Sequence, residues 1–268
     1  MQYRVKALSL SSRGSKIFKS GDIVHATDFK ASQIPQLLRD GFLERISPDG
    51  DVIEIMDDTS DILIIIFSYN RKKMLHQILR HLDGFNIVVI DDGSPFPINH
   101  NSVISFTNGG KKEFWQRWDR ALSVAQSSHC SRFIFMPDDF LEMDMDRIQD
   151  LMNRYGDAPY VYNLINDDRE WSWIKYTPNL VSEDTYQIGF TDGGFFCSRS
   201  ALDKIGFHMI PIRHRRKIIS SGIGHQLTHR FTRAKVPFYK PLKSLAFHGD
   251  HPSQMHPEER IKNPIISK

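Results

Sequence analysis

Two pairs of adjacent aspartates are the groups in this 268-residue chain best suited to chemistry. Phe85-Asn86-Ile87-Val88-Val89-Ile90 ends in Asp91-Asp92-Gly93-Ser94, and Arg132-Phe133-Ile134-Phe135-Met136-Pro137 ends in Asp138-Asp139-Phe140. Neighbouring carboxylates repel each other, and a divalent cation or a nucleotide relieves that repulsion. Hard oxygen donors such as Asp138 and Asp139 suit Mg²⁺ or Mn²⁺, ions that keep waters and bridge phosphate oxygens. Asp91 and Asp92 can accept from a base N–H or from ribose hydroxyls, with Gly93 allowing a tight turn. Each pair also has a plainer reading. Asp-Gly is a common turn dipeptide, and an aspartate ahead of Phe140-Leu141-Glu142 would serve as a helix N-cap.

Such residues need a scaffold that gathers strand ends. Ile62-Leu63-Ile64-Ile65-Ile66-Phe67 is short and β-branched, as in a strand buried on both faces. It stops at Ser68-Tyr69-Asn70-Arg71. Lys72 to Leu82 then places Met74, Leu75, Ile78, Leu79 and Leu82 on one helical face. The strand leading to Asp91 follows, giving the strand–helix–strand opening of a doubly wound sheet. Open sheets of this kind bind ligands at the carboxyl ends of their strands. Tyr69 offers a ring that can stack on a base, and Arg71 a guanidinium that can pair with phosphate.

The ordered series Ser68-Tyr69-Asn70-Arg71, Asp91-Asp92-Gly93-Ser94 and Asp138-Asp139 resembles the nucleotide-sugar-binding half of GT-A glycosyltransferases, especially the family-2 type, over residues 61 to 250. The resemblance implies an α/β fold, Rossmann-like, with a mostly parallel sheet flanked by helices. It implies that Tyr69, Arg71, Asp91, Asp92 and Asp138 contact the nucleotide or ribose, and that Asp139 holds Mn²⁺ or Mg²⁺ on the diphosphate of a nucleoside-diphosphate sugar. His248, in Ala246-Phe247-His248-Gly249-Asp250-His251, matches a late metal ligand of the family.

In Asn108-Gly109-Gly110-Lys111-Lys112-Glu113-Phe114-Trp115-Gln116-Arg117-Trp118, the family has a helix start beside the nucleotide. Lys112 or Arg117 would meet phosphate there, while Trp115, Trp118, Leu122 and Ala125 have the spacing of a core face. Thr191-Asp192-Gly193-Gly194 resembles the acceptor side, where the glycines let a donor sugar approach the backbone. Asp192 is then the expected general base. The Glu-Asp pair that inverting members carry before an "LxxR" helix is missing: Ile223-Gly224 stand in its place, so Asp192 or His225 takes over or the enzyme retains configuration.

Net charge is +3, but unevenly spread. From Ser200 to Lys268 there are 13 Lys and Arg against 4 Asp and Glu, leaving 22 against 28 in the rest. This basic C-terminal part, with the run Arg213-His214-Arg215-Arg216-Lys217, suits either a polyanion or a rim around a diphosphate. In the family that run falls in a mobile loop over the active site. In the tail, Ser253 and Arg260 are weak candidates for closing over the diphosphate.

Residues 1 to 57 have a pattern of their own. Tyr3 to Leu8 alternates like a strand, Gly21-Asp22-Ile23-Val24 reads as a turn into a strand, Ile34 to Leu43 reads as a short helix, and Ser47-Pro48-Asp49-Gly50 reads as a turn. This stretch resembles a small β-rich module at the start of assorted bacteriophage proteins, and Asp57-Asp58-Thr59-Ser60 is the expected linker to the domain at 61 to 268. The longest apolar run is too short to cross a bilayer, and the N-terminus has no signal-peptide core. Cys130 and Cys197 give neither a disulfide framework nor zinc spacing, so a reducing cytoplasm is the simplest compartment, the host's if the chain is phage-encoded.

Together these readings lead to the expectation of a glycosyltransferase with a UDP-sugar favoured as donor. Its acceptor would be a hydroxymethylated base of phage DNA, held through Arg213, Arg215, Arg216 and Lys217. The alternatives are transfer onto a surface polysaccharide or lipid, and a non-catalytic phage binding protein on a degenerate fold. A nucleotidyltransferase would open with a glycine-rich phosphate loop, which Ser68-Tyr69-Asn70-Arg71 is not.

Overall fold

The structure is a computed structural model, and it describes residues 2–5, 9–11, 17–25, 43–46, 61–107, 113–166, 178–191, 193–214 and 217–248. The chain divides into two compact units, Met1–Asp57 and Asp58–Lys268. In the first, β1 (Gln2–Val5) lies between β4 (Ile23–His25) and β5 (Leu43–Ile46) in an antiparallel sheet, and β2 (Ser9–Ser11) pairs with β3 (Ile17–Lys19). Val5, Val24 and Leu43 are buried. The helix expected over residues 34–43 and the turn at 47–50 lie outside the described residues, apart from Leu43, which begins β5.

The second unit is built on β6 (Ile62–Ser68), whose seven residues are all buried. Leu63, Ile65 and Phe67 enter one core, and Ile62, Ile64 and Ile66 enter the other. Alternation across a strand sends successive side chains to opposite faces, so a continuous apolar run feeds two cores. β7 (Asn86–Asp91) and β9 (Arg132–Pro137) lie parallel to β6 on either side, and β8 (Val103–Ser105) extends the sheet beyond β7. Helices α1 (Lys72–His81) and α3 (Met145–Tyr155) cover one face, while α2 (Phe114–Ser127), α4 (Arg199–Ile205) and α5 (Ile223–Arg233) cover the other. Trp118 of α2 stacks between Phe67 and Phe135, with ring centroids 4.6 and 5.3 Å away, so it belongs to the core.

The remaining strands are β10 (Phe140–Met143), β11 (Val161–Asn163), β12 (Asn179–Ser182), β13 (Thr185–Ile188), β14 (Phe195–Ser198), β15 (Ile212–His214), β16 (Lys217–Ser220), β17 (Phe238–Pro241) and β18 (Ala246–His248). The nine-stranded sheet runs β12-β13-β17-β11-β14-β9-β6-β7-β8. The expected parallel arrangement holds for the four strands β9-β6-β7-β8 and for β11 with β17; β14 runs antiparallel to both its neighbours, β9 and β11. The sheet therefore has a uniformly parallel half and a reversed strand beside it. Among the described residues, no helix is long and apolar enough to cross a membrane.

Candidate functional site

Parallel register brings the carboxyl ends of β6, β7 and β9 to one edge. Ser68 pairs with Asp91, and Phe67 pairs with Pro137. Ser68 is the hinge between the two acidic turns. Its carbonyl accepts the Asp92 N–H at 2.9 Å, and its hydroxyl donates to Oδ2 of Asp138 at 2.7 Å. The Asp138 N–H donates to Phe67 O at 3.0 Å, continuing the ladder past the strand end.

At the β7 turn, both Asp91 oxygens accept the Ser94 N–H, at 3.1 and 3.3 Å, and Gly93 takes φ 84°. This is the local aspartate turn that the Asp-Gly reading anticipated. Ser94 in turn accepts the Asn70 N–H at 2.9 Å, and Asn70 adopts the left-handed φ of 53° that asparagine tolerates better than most residues. The first two turns are thus tied together. Tyr69 is 37% exposed beside them.

Asp92 differs from the expectation of a nucleotide ligand. Its Oδ1 is ion-paired with Nε of Arg117, and both side chains are buried. Arg117 also donates to Glu113 O, and its guanidinium lies 4.4 Å from the Phe106 ring centroid. The proposed phosphate role of Arg117 is therefore corrected: the guanidinium is spent inside the fold, joining α2 to the β7 turn. Ion-pairing and hydrogen bonding are what make a buried charge tolerable. Lys112, the alternative phosphate contact, lies outside the described residues.

At the β9 turn, Asp138 and Asp139 are buried. Arg71 Nη1 lies 3.2 Å from Asp138 Oδ1 and 2.5 Å from Asp139 Oδ2. Arg71 therefore meets these two carboxylates directly, where a phosphate partner had been expected. Burial pushes the Asp138 carboxyl up to about 6; Arg71 and the Ser68 hydroxyl oppose that shift, and Asp139 adds to it. The capping alternative does not hold. Phe140 begins strand β10, and Asp144 is the residue that caps the next helix, accepting the Arg147 N–H at 3.0 Å.

β10 pairs antiparallel with β18, with Phe140 opposite His248. The backbone of His248 is thus brought level with the residue after Asp139, although its side chain lies outside the described residues. Among the described residues, no group of three or more His, Cys, Asp or Glu is arranged to hold a metal. The donor set still fits a hard divalent cation: two adjacent carboxylates face one cationic nitrogen, and a histidine-bearing strand is paired alongside.

In the segment Thr191-Asp192-Gly193-Gly194, Asp192 itself is outside the described residues, but Thr191 is pinned. Its hydroxyl donates to Asn163 Oδ1 at 2.7 Å, and its N–H donates to the Thr228 hydroxyl at 3.2 Å. Gly194 has a packing reason of its own: a Cβ there would fall 2.3 Å from the Phe140 ring. His225 is exposed on α5, its ring stacked 6.4 Å from that of His229. Arg230 of the "LxxR" helix donates to the carbonyls of Ile205, Gly206 and His208, capping the end of α4. The Trp115 N–H donates to Ser221 Oγ at 3.0 Å, tying the start of α2 to the segment entering α5. The basic run is a two-stranded hairpin, β15–β16, rather than a loop; Arg213, His214 and Lys217 are exposed, and Arg215 and Arg216 lie outside the described residues. Sequence reasoning assigns no role to Ser68, Ser94, Asn163 or Thr228. Ser68 and Ser94 stand inside the motifs, but only the register shows what their hydroxyls reach.

No family profile matches this sequence, and no curated protein does. Among solved structures, A197 from STIV is 15% identical, with 70% of this chain and 85% of that chain covered and a TM-score of 0.40. CMP:2-keto-3-deoxy-manno-octonic acid synthetase, complexed with CTP, is 14% identical, with 76% of this chain and 96% of that chain covered and a TM-score of 0.44. Likeness at this level carries no functional argument; the strand ends of this chain have to supply it.

Proposed function

We propose that this chain is a metal-dependent glycosyltransferase that moves a sugar from a nucleoside diphosphate, UDP favoured, to a hydroxyl. The observation that supports it is the meeting of the two acidic turns at Ser68, at the carboxyl edge of three parallel strands. That edge is where open α/β sheets take ligands. The exposed Tyr69 ring stacks on the base, and the Asp91 turn, pinned through Ser94 to Asn70, lies against the nucleoside. Asp139 and His248 would hold Mn²⁺ or Mg²⁺, with Asp138 beside them for the same ion or for the ribose. When bound, the ion offsets the negative charge that gathers on the departing diphosphate.

The acceptor oxygen attacks the anomeric carbon, the bond from that carbon to the diphosphate oxygen breaks, and the nucleoside diphosphate leaves. Asp192 takes the acceptor proton. It is preferred to His225 because the threonine before it is held on two sides by Asn163 and Thr228. The acceptor we favour is a hydroxymethylated base of phage DNA, with the exposed Arg213 and Lys217 of the β15–β16 hairpin reaching the backbone. A base inside a duplex would have to be flipped out to be reached.

Incubating the full chain and Mn²⁺ with a mixed pool of sugar nucleotides and hydroxymethylcytosine DNA, then weighing the released nucleosides by mass spectrometry, tests both parts. A hexose or pentose increment on the modified base is expected. Transfer to a lipid or glycan but not to DNA overturns the acceptor; no donor consumed and no UDP bound in the presence of Mn²⁺ overturns the enzyme.

A further inference from the structure

Arg71 carries an inference that rests on the proposed function and deepens it. Its Nη1 touches both carboxylates proposed for the metal, at 2.5 and 3.2 Å, and the three side chains are 9% or less exposed. One nitrogen thus answers both carboxylates. The backbone of Arg71 is fixed: its carbonyl accepts the Leu75 N–H at 2.9 Å as the N-cap residue of α1. The preceding Asn70 is bonded to Ser94 of the Asp91 turn. The guanidinium therefore reaches the acidic pair from an anchored backbone position beside the Asp91 turn.

We propose that Arg71 is a resident counter-ion that competes with the divalent cation for Asp138 and Asp139, and that it leaves them for the diphosphate of an incoming nucleotide. A guanidinium keeps its charge throughout the accessible pH range, so it cannot yield to a metal by losing a proton. A cation arriving alone must break the Arg71 pairs and face like-charge repulsion. A diphosphate gives the guanidinium a two-point partner in exchange. Metal and nucleotide then bind with positive coupling, and the coupling is the same whichever binds first.

The test is Mn²⁺ binding to the full chain, read from the electron paramagnetic resonance signal of free Mn²⁺, with and without UDP, in the wild type, Arg71→Gln and Arg71→Met. Removing the competitor should tighten Mn²⁺ binding in the absence of UDP by about tenfold, within the usual range of such couplings, and should shrink the effect of UDP on Mn²⁺ affinity. If the variants bind Mn²⁺ alone no tighter than the wild type, while the wild type takes it up with UDP, Arg71 is only an anchor and the inference falls while the proposed function stands. If the wild type takes up no Mn²⁺ even with UDP, both fall. Should neither variant fold, Arg71→Lys is measured in the same way. Its point charge lacks the two-point match to a diphosphate, so UDP should raise its Mn²⁺ affinity less than in the wild type, and an unchanged UDP effect overturns the proposal.

Discussion

At the end of β7, Arg117 pairs with Asp92 inside the fold; at the end of β9, Arg71 spans Asp138 and Asp139. Both turns are Asp-Asp after an apolar strand, yet the guanidiniums come from different places. Arg117 projects from the first turn of α2, is 1% exposed, and lies against Phe106. Arg71 stands at the entrance to α1 with its side chain 9% exposed, and one of its nitrogens meets two carboxylates. The first arrangement is a closed ion pair that fastens a helix to a turn. The second brings two acids together on one guanidinium, the arrangement on which the proposed exchange of cations rests.

The largest effect expected from breaking this contrast is at the closed pair. Arg117→Met leaves the Asp92 carboxylate buried without that partner and should cost roughly 3–5 kcal/mol of stability by urea denaturation. Asp92→Asn combined with Arg117→Met should recover much of the loss, because no charge is then stranded. Asp139→Asn should behave in the opposite way. Sugar transfer should fall about a hundred- to thousandfold, in line with a metal contribution of several kcal/mol, while the denaturation midpoint stays near that of the wild type.

A third expectation concerns pH. Asp138 is raised from an ordinary 3.8 to about 6, first by burial. The folded state therefore holds this proton more tightly than the unfolded chain. The stability it supplies is full below about pH 4 and is lost as pH rises through about 6. Asp138→Asn should consequently gain on the wild type, by at most about 3 kcal/mol, between unfolding measured at pH 4 and at pH 7.5. Binding of Mn²⁺ with UDP to the wild type should weaken below about pH 6, as the carboxylate takes up its proton.

The smallest effect is at Gly194. Adding a methyl group against the Phe140 ring should cost about 1–3 kcal/mol through overpacking. Phe140→Leu in the same chain should relieve part of it, as read from the shift in thermal midpoint.

The acidic strand ends were legible because a strand end is a local feature. The apolar runs at 62–67, 85–90 and 132–137 marked β6, β7 and β9, and the acidic residues after them fell at one edge because parallel strands in register must end together. The sequence was misleading just past Asp139, where the segment that could have begun a helix is a strand. β10 forms because β18, more than 100 positions later, supplies its hydrogen-bond partner. Reversal of β14 was equally hidden, since strand direction depends on the path of the connections and not on the residues Phe195–Ser198.

Composition, periodicity and turn chemistry by themselves determined that this chain builds an α/β sheet with carboxylates at its mouth, because those signals act over a few neighbouring residues. Only the tertiary structure decided which positive charge answers which negative one. Arg117 and Arg71 lie 25 and 67 positions from Asp92 and Asp138, respectively, and the two arginines look equally available in the sequence. Burial separated them: a charge taken out of water must find its partner within reach of its own side chain, and that reach is set by how helices pack on the sheet.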